Sequence, residues 1–456
     1  MDMDRIHALR SSFESGITRD MAMRRTALKR LRAALLRHEE ALIAAMHTDM
    51  RKPRFEAYLS DIGLVLQTID EALGHLSEWM TPTQVPTPLA IQVAESSVHK
   101  EPLGVVLIIA PWNYPVLLLL SPLVGAIAAG NCVVLKPSEA VPATAAMVER
   151  IITEVFDPAQ VQVVQGEGHT VVPTLMHGFR FDHVFFTGSP AVGKSLLALA
   201  APQLVPVTLE LGGKSPAVVD RSANVRIAAK RIAWSKYFNA GQTCIATDHA
   251  LVHTAVLDEF VDRYVLSVKR MYGEDPQRSP HYARMVNERR FAAVRPYLDQ
   301  GRVVIGGQHE LADRYIAPTL LLDVPPDASV LREEIFGPVL PVIPWTEREE
   351  VMAVLRSNPF PLASYLFGTD KDMQRWFLER ILSGSTCINH CMLQFGNSGL
   401  PFGGVGTSGM GRYHGRYTFD LFSHHRSVVR ASTLVDHGLQ EPPYTALKER
   451  ILRTVL

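Results

Sequence analysis

Apolar residues recur at steps of three and four along the first eighty positions. Leu28, Leu31, Leu35, Leu42 and Met46 form one series, and Leu59, Ile62, Leu66, Ile69, Leu73 and Leu76 a second. That spacing predicts two helices within residues 20–79, each with one core-facing stripe that implies packing and no chemistry. Pro82, Pro86 and Pro88 then break helix. Residues 90–99 read as an extended excursion, a projecting hairpin or arm of the sort that joins subunits.

Beyond Gly104 the period changes. Short β-rich runs at 105–109, 132–135, 161–164, 183–186 and 216–219 are apolar on both faces, as parallel strands covered by helices should be. Helix-like segments at 116–129, 142–155, 169–177 and 190–200 alternate with them. The alternation predicts a doubly wound α/β domain with its ligand crevice at the carboxyl ends of the strands. A second α/β region follows, with helices at 225–238 and 255–271 and further elements to near residue 390. From 396 to 416 the chain is Gly-rich, yet Phe395, Leu400, Phe402 and Val405 are interleaved. This predicts a loop packed on something, not a flexible linker.

A chain of 456 residues is too long for one ordinary core, so two or three domains are expected. Lys plus Arg and Asp plus Glu both total 46, which argues against nucleic acid as the main partner. Four cysteines are too few for a disulfide scaffold and fit a reducing compartment. The first residues lack the pattern of a signal peptide. The apolar run at 116–129 falls short of the roughly 20 residues that span a bilayer, and Pro122 interrupts it. The last ten residues carry Lys448, Glu449, Arg450 and Arg453, so they form no membrane anchor. A soluble cytoplasmic protein is expected.

Two residues carry candidate chemistry. Cys244 follows Gly241-Gln242-Thr243 at the end of a helix-like run, and Glu210 stands in Leu209-Glu210-Leu211-Gly212-Gly213-Lys214. A thiol nucleophile and a carboxylate base, each beside a chain reversal, suggest covalent catalysis. A buried, inert thiol is the competing reading, and the local sequence leaves both open.

A rival motif lies between them and the N-terminus. Gly188-Ser189-Pro190-Ala191-Val192-Gly193-Lys194-Ser195 matches the P-loop pattern letter for letter, between a candidate strand and a candidate helix. Three points count against an NTPase. The motif follows at least three strands. Pro190 removes a backbone N–H from the loop that would cradle phosphate. The reading also leaves Cys244, Glu210 and the Trp112-Asn113 turn unused. A helix N-terminus at this place still suits a dinucleotide pyrophosphate.

Seven stretches, in order across residues 100–425, resemble the aldehyde dehydrogenase superfamily. They are Pro111-Trp112-Asn113-Tyr114-Pro115, Lys136-Pro137-Ser138-Glu139, Phe186-Thr187-Gly188-Ser189, Leu209 to Lys214, Gly241 to Cys244, Glu333-Glu334-Ile335-Phe336-Gly337-Pro338 and Pro401-Phe402-Gly403-Gly404. Trp234-Ser235-Lys236-Tyr237, Ser408 to Gly415 and Pro442-Pro443-Tyr444 are most similar to the class 3 branch. That branch takes medium-chain aliphatic, aromatic or fatty aldehydes and is typically dimeric. The resemblance implies a variant Rossmann NAD(P)-binding domain at 1–83 and 103–211, which does without the G-x-G-x-x-G fingerprint. It further implies a catalytic domain at 212–395, with an oligomerisation arm and tail at 84–102 and 396–456.

The resemblance also assigns roles. Cys244 would attack the aldehyde, the Asn113 amide and the Cys244 backbone N–H would hold the oxyanion, and Glu210 would activate water. Lys136 and Glu139 would hold the adenosine ribose, beside Ser138, which could equally cap the following helix. Ser189, Gly193 and the backbone after Gly188 would face the pyrophosphate. Thr187, Gly188, Leu211 and Gly212 would border the nicotinamide, and Glu334 its ribose, with Phe336 and Trp112 packed alongside. Spacing alone allows Glu333 the role of Glu334. Glu139 should repel a 2′-phosphate, which favours NAD, although class 3 enzymes often take NADP too.

Tyr114, Tyr237, Thr243 and Phe395 would line a substrate tunnel. Thr247 and the run Cys387-Ile388-Asn389-His390-Cys391 depart from the class 3 pattern. Three clustered ligands without a partner pair argue for a tunnel lining over zinc, so no metal is expected. The expected activity is NAD(P)-dependent oxidation of a small-molecule aldehyde to its acid by a homodimer. A coenzyme A-acylating enzyme of the same fold would ordinarily lack Glu210, and a non-catalytic relative would not need Cys244.

Overall fold

The computed structural model describes residues 2–456. Its first sheet has five parallel strands in the spatial order Val161–Val163, Cys132–Lys136, Val105–Ile109, His183–Gly188 and Val207–Leu211. The two-residue strand Gly409–Met410 closes its edge antiparallel. Strand order reverses between Val105–Ile109 and His183–Gly188, so the crevice opens beyond Ile109 and Gly188.

The apolar strands divide their side chains between two cores, as the two-residue period requires. Val105, Leu107 and Ile109 pack with Leu196 and Ala200 of the helix Pro190–Ala200. Val106 and Ile108 pack instead with the fully buried helix Leu117–Ala129 and the N-terminal helices.

The second sheet has six parallel strands, in the order Thr319–Leu322, Val339–Trp345, His249–His253, Pro216–Val219, Ala363–Phe367 and Ser385–Ile388. Arg302–Ile305 joins it antiparallel. A third, antiparallel sheet combines Thr83–Val85, Ala94–Pro102 and Ser423–Ala431. The C-terminal helix Ala446–Val455 buries none of its residues, and Lys448 ties it to the carbonyls of Gly438 and Glu441 at 2.6 and 2.7 Å.

The expected α/β class with two parallel sheets is the architecture found. Several local expectations need correction. A helix at Met3–Glu14 had no counterpart in the reading of the sequence. The two helices expected within 20–79 are three rods, because the chain breaks at His38 and at Arg51, which is left-handed with φ 49°. The last rod runs from Arg54 to Met80 through a π-turn at Tyr58–Ile62. The excursion at 90–99 is part of a hairpin, with Thr83 opposite Val98, and the chain returns at Ser423–Ala431 to add its third strand. The strand Val207–Leu211 was not among the expected strands. A glutamate inside a run this buried breaks the apolar signature, and that glutamate is Glu210.

The helix Val225–Tyr237 ends in a turn whose residues Asn239, Ala240 and Gly241 all have positive φ, at 52°, 52° and 75°. A Cβ on Gly241 would lie 2.3 Å from the carbonyl oxygen of Gly337, so the two chains touch backbone to backbone. Gly241→Ala should therefore cost about 1–3 kcal/mol and lower the melting temperature. Gly74→Ala, in an exposed helical position with nothing within 4 Å of the new methyl, should raise it. Thermal denaturation of both variants checks the pair.

Candidate active site

The turn after Tyr237 delivers Gln242, Thr243 and Cys244 to the edge of a cavity, and each is anchored. Gln242 donates to the carbonyls of Asn239 and Arg284 at 3.0 and 2.9 Å and accepts from the Val286 N–H at 3.0 Å. Its own carbonyl accepts from the side-chain amides of Asn113 and Asn239 at 3.0 and 3.2 Å. The Thr243 hydroxyl lies 2.5 Å from that of Tyr114. Cys244 itself faces the cavity, with the N–H groups of Cys244 and Ile245 turned toward its sulfur.

The cavity holds about 190 Å³. Leu59, Leu64, Leu117 and Leu118 form one wall, Trp234 and Phe238 another, and Met392, Leu393, Phe395 and Phe402 a third. Leu59 and Leu393 are 43 % and 57 % exposed, which places them at the mouth. Thr187, Glu210, Leu211, Thr243 and Cys244 bring the thiol and the crevice of the first sheet to the same space.

This apolar setting governs the charges. Burial, with the charges of Glu334 and Glu210, pushes the Cys244 thiol up to about 12. Burial alone holds the Glu210 carboxyl well above the usual carboxylate range. Both Glu210 oxygens are buried with no hydrogen-bond partner among the described residues, as is the Thr187 hydroxyl. Burial and Asp248 raise Glu334 to about 7, against the pull of the Gly213 N–H, Lys214 and Arg290.

Two buried ion pairs frame the site. Lys52 and Asp61 meet at 2.6 Å with both side chains fully buried. Lys214 pairs with Asp248 and also donates to the carbonyls of Val330 and Glu333 at 2.8 and 2.7 Å. Burial pushes the Asp248 carboxyl up, but Lys214, His249 and Lys236 outweigh it and hold the group well below the usual range.

Most of the expected cofactor residues gather along the crevice. Lys136 ends its strand buried and pairs with the exposed Glu139. The Ser138 hydroxyl accepts from the Ala140 N–H at 3.3 Å. Asp49, rather than Ser138, caps the helix Pro142–Val155, through the N–H groups of Ala143 and Thr144. Ser189 caps the helix Pro190–Ala200 at the mouth of the crevice next to Gly188. Glu334 reaches across to Gly212, where a Cβ would fall 2.2 Å from its carboxylate. Glu333 points elsewhere and accepts from the Tyr297 hydroxyl at 2.7 Å, which separates the two glutamates that spacing could not. Trp112 stands edge-on to Phe336, with ring centres 5.4 Å apart. An unpartnered Thr187 hydroxyl, a glycine that leaves no room for a side chain, a Lys–Glu pair at a strand end and a capped helix N-terminus suit a dinucleotide.

Other expectations do not hold. Tyr237 does not line the cavity. It is fully buried in the core, with its hydroxyl on the Thr319 carbonyl at 3.0 Å and its ring against Tyr264 and Tyr272. Trp234 and Phe238 take the cavity side; the helix ends at Tyr237, and the change of backbone at Phe238, with φ -57° and ψ 130°, separates the directions of these two neighbours. Gly193 lies under Leu209 and Leu211, so its lack of a side chain serves helix–strand packing. Lys194 and Ser195 are exposed, and the Ser195 hydroxyl turns back to the Ala191 carbonyl at 3.2 Å, so the P-loop residues do not converge. Cys387, His390 and Cys391 are absent from the cavity wall, where Met392 stands instead. Among the described residues no group of three His, Cys, Asp or Glu side chains is placed to hold a metal ion.

Asn113 is buried, though not itself part of the cavity wall. One N–H of its amide holds the Gln242 carbonyl, two residues before Cys244, which leaves the second N–H for another acceptor. The reading of the sequence missed Leu59, Leu64, Trp234, Phe238, Met392 and Tyr413 in the wall, and Lys52 and Asp61 behind it. Lys52 and Asp61 left a signal, as charges flanking an apolar helical stripe. The wall residues read as ordinary core.

A doubly wound sheet whose crevice opens toward a cavity holding a buried thiol and a buried carboxyl is an arrangement suited to a dinucleotide-dependent oxidoreductase. The family profile described as "Aldehyde dehydrogenase family" matches residues 5–428. The chain is 42 % identical to the 4,4'-diaponeurosporen-aldehyde dehydrogenase of Staphylococcus aureus, over 95 % of this chain and 94 % of that one. It is 42 % identical to human aldehyde dehydrogenase family 3 member B1, over 98 % and 96 %. A substrate-bound structure of Staphylococcus aureus AldH superposes with a TM-score of 0.97 at 40 % identity, covering 100 % of this chain and 99 % of the other. An indole-3-acetaldehyde dehydrogenase in complex with NAD+ superposes with a TM-score of 0.85 at 28 % identity, covering 94 % and 88 %. This chain belongs to the aldehyde dehydrogenase family, and its relatives place it with the class 3 members. Its activity is the NAD(P)-dependent oxidation of an aldehyde to the carboxylic acid.

The raised thiol makes a direct prediction. Alkylation of Cys244 by iodoacetamide in cofactor-free enzyme should be slow at pH 7 and climb about tenfold per pH unit toward pH 10, since only the thiolate reacts. Mass spectrometry of the Cys244 peptide follows it, and a flat profile between pH 6 and 9 would contradict the burial argument.

Proposed function

We propose that Cys244, Glu210 and Asn113 carry the reaction in this chain. The observation that supports this most directly is that Cys244 and Glu210 open into one apolar cavity, with both carboxylate oxygens of Glu210 free of partners. Cys244 attacks the aldehyde carbon as the thiolate, its proton released to solvent, so that Glu210 stays free to act as a base afterwards. The N–H groups of Cys244 and Ile245 directed at the sulfur favour that form. The developing oxyanion is met by the second N–H of the Asn113 amide and by the Cys244 N–H. Bound NAD(P)+ supplies the hydride acceptor. Glu210 then takes a proton from water as it attacks the thioester, and the acid leaves with Cys244 restored.

Lys136, Ser138 and Glu139 would hold the adenosine ribose and Ser189 the pyrophosphate. Thr187, Gly188, Leu211 and Gly212 would hold the nicotinamide, and Glu334, Phe336 and Trp112 its ribose. Glu139 favours NAD by repelling a 2′-phosphate. The cofactor unit, 1–83 and 103–211, would meet the catalytic unit, 212–395, across this crevice. The arm and tail, 84–102 and 396–456, would join two copies, supported by the exposed Leu89, Ile91, Val93 and Val429 around the third sheet. Four free thiols support a cytoplasmic setting. Among the described residues no helix is long and apolar enough to cross a membrane.

The substrate is read from the walls. Apart from Ser60, Thr187, Glu210, Thr243 and the hydroxyls of Tyr114 and Tyr413, the cavity presents hydrocarbon, aromatic rings and the Met392 thioether, out to Leu59 and Leu393 at its mouth. This favours long or bulky apolar aldehydes over small polar ones. Across a series of straight-chain aldehydes, kcat/KM should rise about three- to fourfold per added methylene until the walls are filled, from about 0.8 kcal/mol per buried CH2.

Stopped-flow NADH formation tests the roles. Cys244→Ala should abolish the absorbance rise. Glu210→Gln should keep the first-turnover burst while steady turnover falls about 100-fold or more. The base form of Glu210 does the work and its carboxyl titrates above the ordinary range. Wild-type steady turnover should therefore fall toward acid from a pH well above the ordinary carboxylate range, and the Gln variant should lack that limb. Full activity in Cys244→Ala would sink the mechanism.

A further inference from the structure

The carbonyl of Asn113 is held more tightly than a turn requires. Lys52 donates to it at 3.1 Å and the Asn239 side chain at 3.0 Å. Lys52 lies 4.1 Å over the Tyr114 ring and is paired with Asp61, which accepts from the N–H groups of Val116 and Leu117, both at 3.1 Å. One buried charge pair thus grips the turn at Asn113, at Tyr114 and at the start of the helix Leu117–Ala129. Asn239 is held in turn, since Glu56 accepts its backbone N–H at 2.9 Å.

Local structure makes this grip available. The π-turn at Tyr58–Ile62 adds one residue to a helical turn, an irregularity common at functional sites. It lets Asp61 point inward, fully buried, while Leu59 and Ser60 of the same turn stay at the cavity. A buried ion pair is a weak source of stability, because an apolar pair of similar volume would serve as well. Here the ammonium does what a hydrocarbon cannot, since it fixes a backbone carbonyl whose residue presents its amide to the turn that carries Cys244.

We propose that Lys52 is a positioning residue for aldehyde oxidation: through the Asn113 carbonyl it holds the Asn113 amide in register with the sulfur of Cys244. The proposal rests on Asn113 as the oxyanion donor. A small displacement of such a donor is costly to the chemical step, on the order of 100-fold for about 1 Å.

A double-mutant cycle tests it, with the NADH burst rate in single turnovers as the readout. Lys52→Met strands a buried Asp61 and risks misfolding, so Lys52→Met/Asp61→Asn, which removes both charges, is the working variant. Its burst rate should fall about 10- to 100-fold. NADH affinity, read by fluorescence, should stay within about twofold, because the cofactor residues lie elsewhere. In an Asn113→Ala background the same pair should cost less than about threefold, since the donor it positions is gone. An equal cost in both backgrounds, or an unchanged burst with Asn113 present, overturns the proposal and leaves the oxyanion reading intact. A full burst in Asn113→Ala alone overturns the oxyanion reading and the proposal with it.

Discussion

The pairing of Lys214 with Asp248 holds three parts of the reaction centre in one frame. Lys214 comes directly after Gly212 and Gly213, at the end of the strand that carries Glu210. Asp248 sits four residues beyond Cys244, where the strand His249–His253 begins. Lys214 also holds the carbonyls of Val330 and Glu333, and Asp248 accepts the Ile335 N–H at 2.9 Å, so the segment bearing Glu334 and Phe336 is clamped between them. Glu210, Cys244 and Glu334 are thus referenced to a single ion pair. An ammonium can serve three acceptors in this way, and a hydrophobic substitute could fill the space without fixing their register.

Within that frame the electrostatics run against the reaction's charged forms. Burial raises Cys244, Glu210 and Glu334 together. The same apolar walls disfavour the charged form of the thiol and of both carboxyls. Backbone N–H groups at the sulfur and the amide of Asn113 are oriented in advance, and in a low-dielectric cavity such fixed dipoles count for more than they would in water. The walls and the chemistry are therefore one design, because hydration would stabilise the charges and spoil the hydrocarbon surface.

The parts of this arrangement that were legible in the sequence are those that depend on local rules. Parallel strands buried on both faces announce themselves as apolar runs. Gly-Gln-Thr-Cys and Leu-Glu-Leu-Gly-Gly mark chain reversals beside reactive groups. The family resemblance then supplied the roles that spacing alone left open. What stayed hidden depends on direction. Tyr237 and Phe238 are neighbours in sequence, yet the end of the helix sends one to the core and the other to the cavity. Glu333 and Glu334 are told apart only by which of them reaches Gly212. Val207–Leu211 went unseen as a strand because the buried glutamate within it disguises it. Lys52 and Asp61 stand as charges beside an apolar helical stripe, and the π-turn that carries Asp61 inward has no signature in the apolar spacing.

The cavity wall draws on residues near 60, near 115, around 187 to 211, from 234 to 245 and from 392 to 413. None of these segments forms a concave surface by itself. During synthesis Cys244 emerges long before Met392 and Tyr413, and at that stage it lacks the walls and the fixed N–H groups that define its reactivity in the finished molecule. Bringing such distant segments together carries a loop-closure cost, and the complete cavity is a property of the fully packed chain. Until those walls close, the Cys244 thiol is without the burial that raises it in the folded protein.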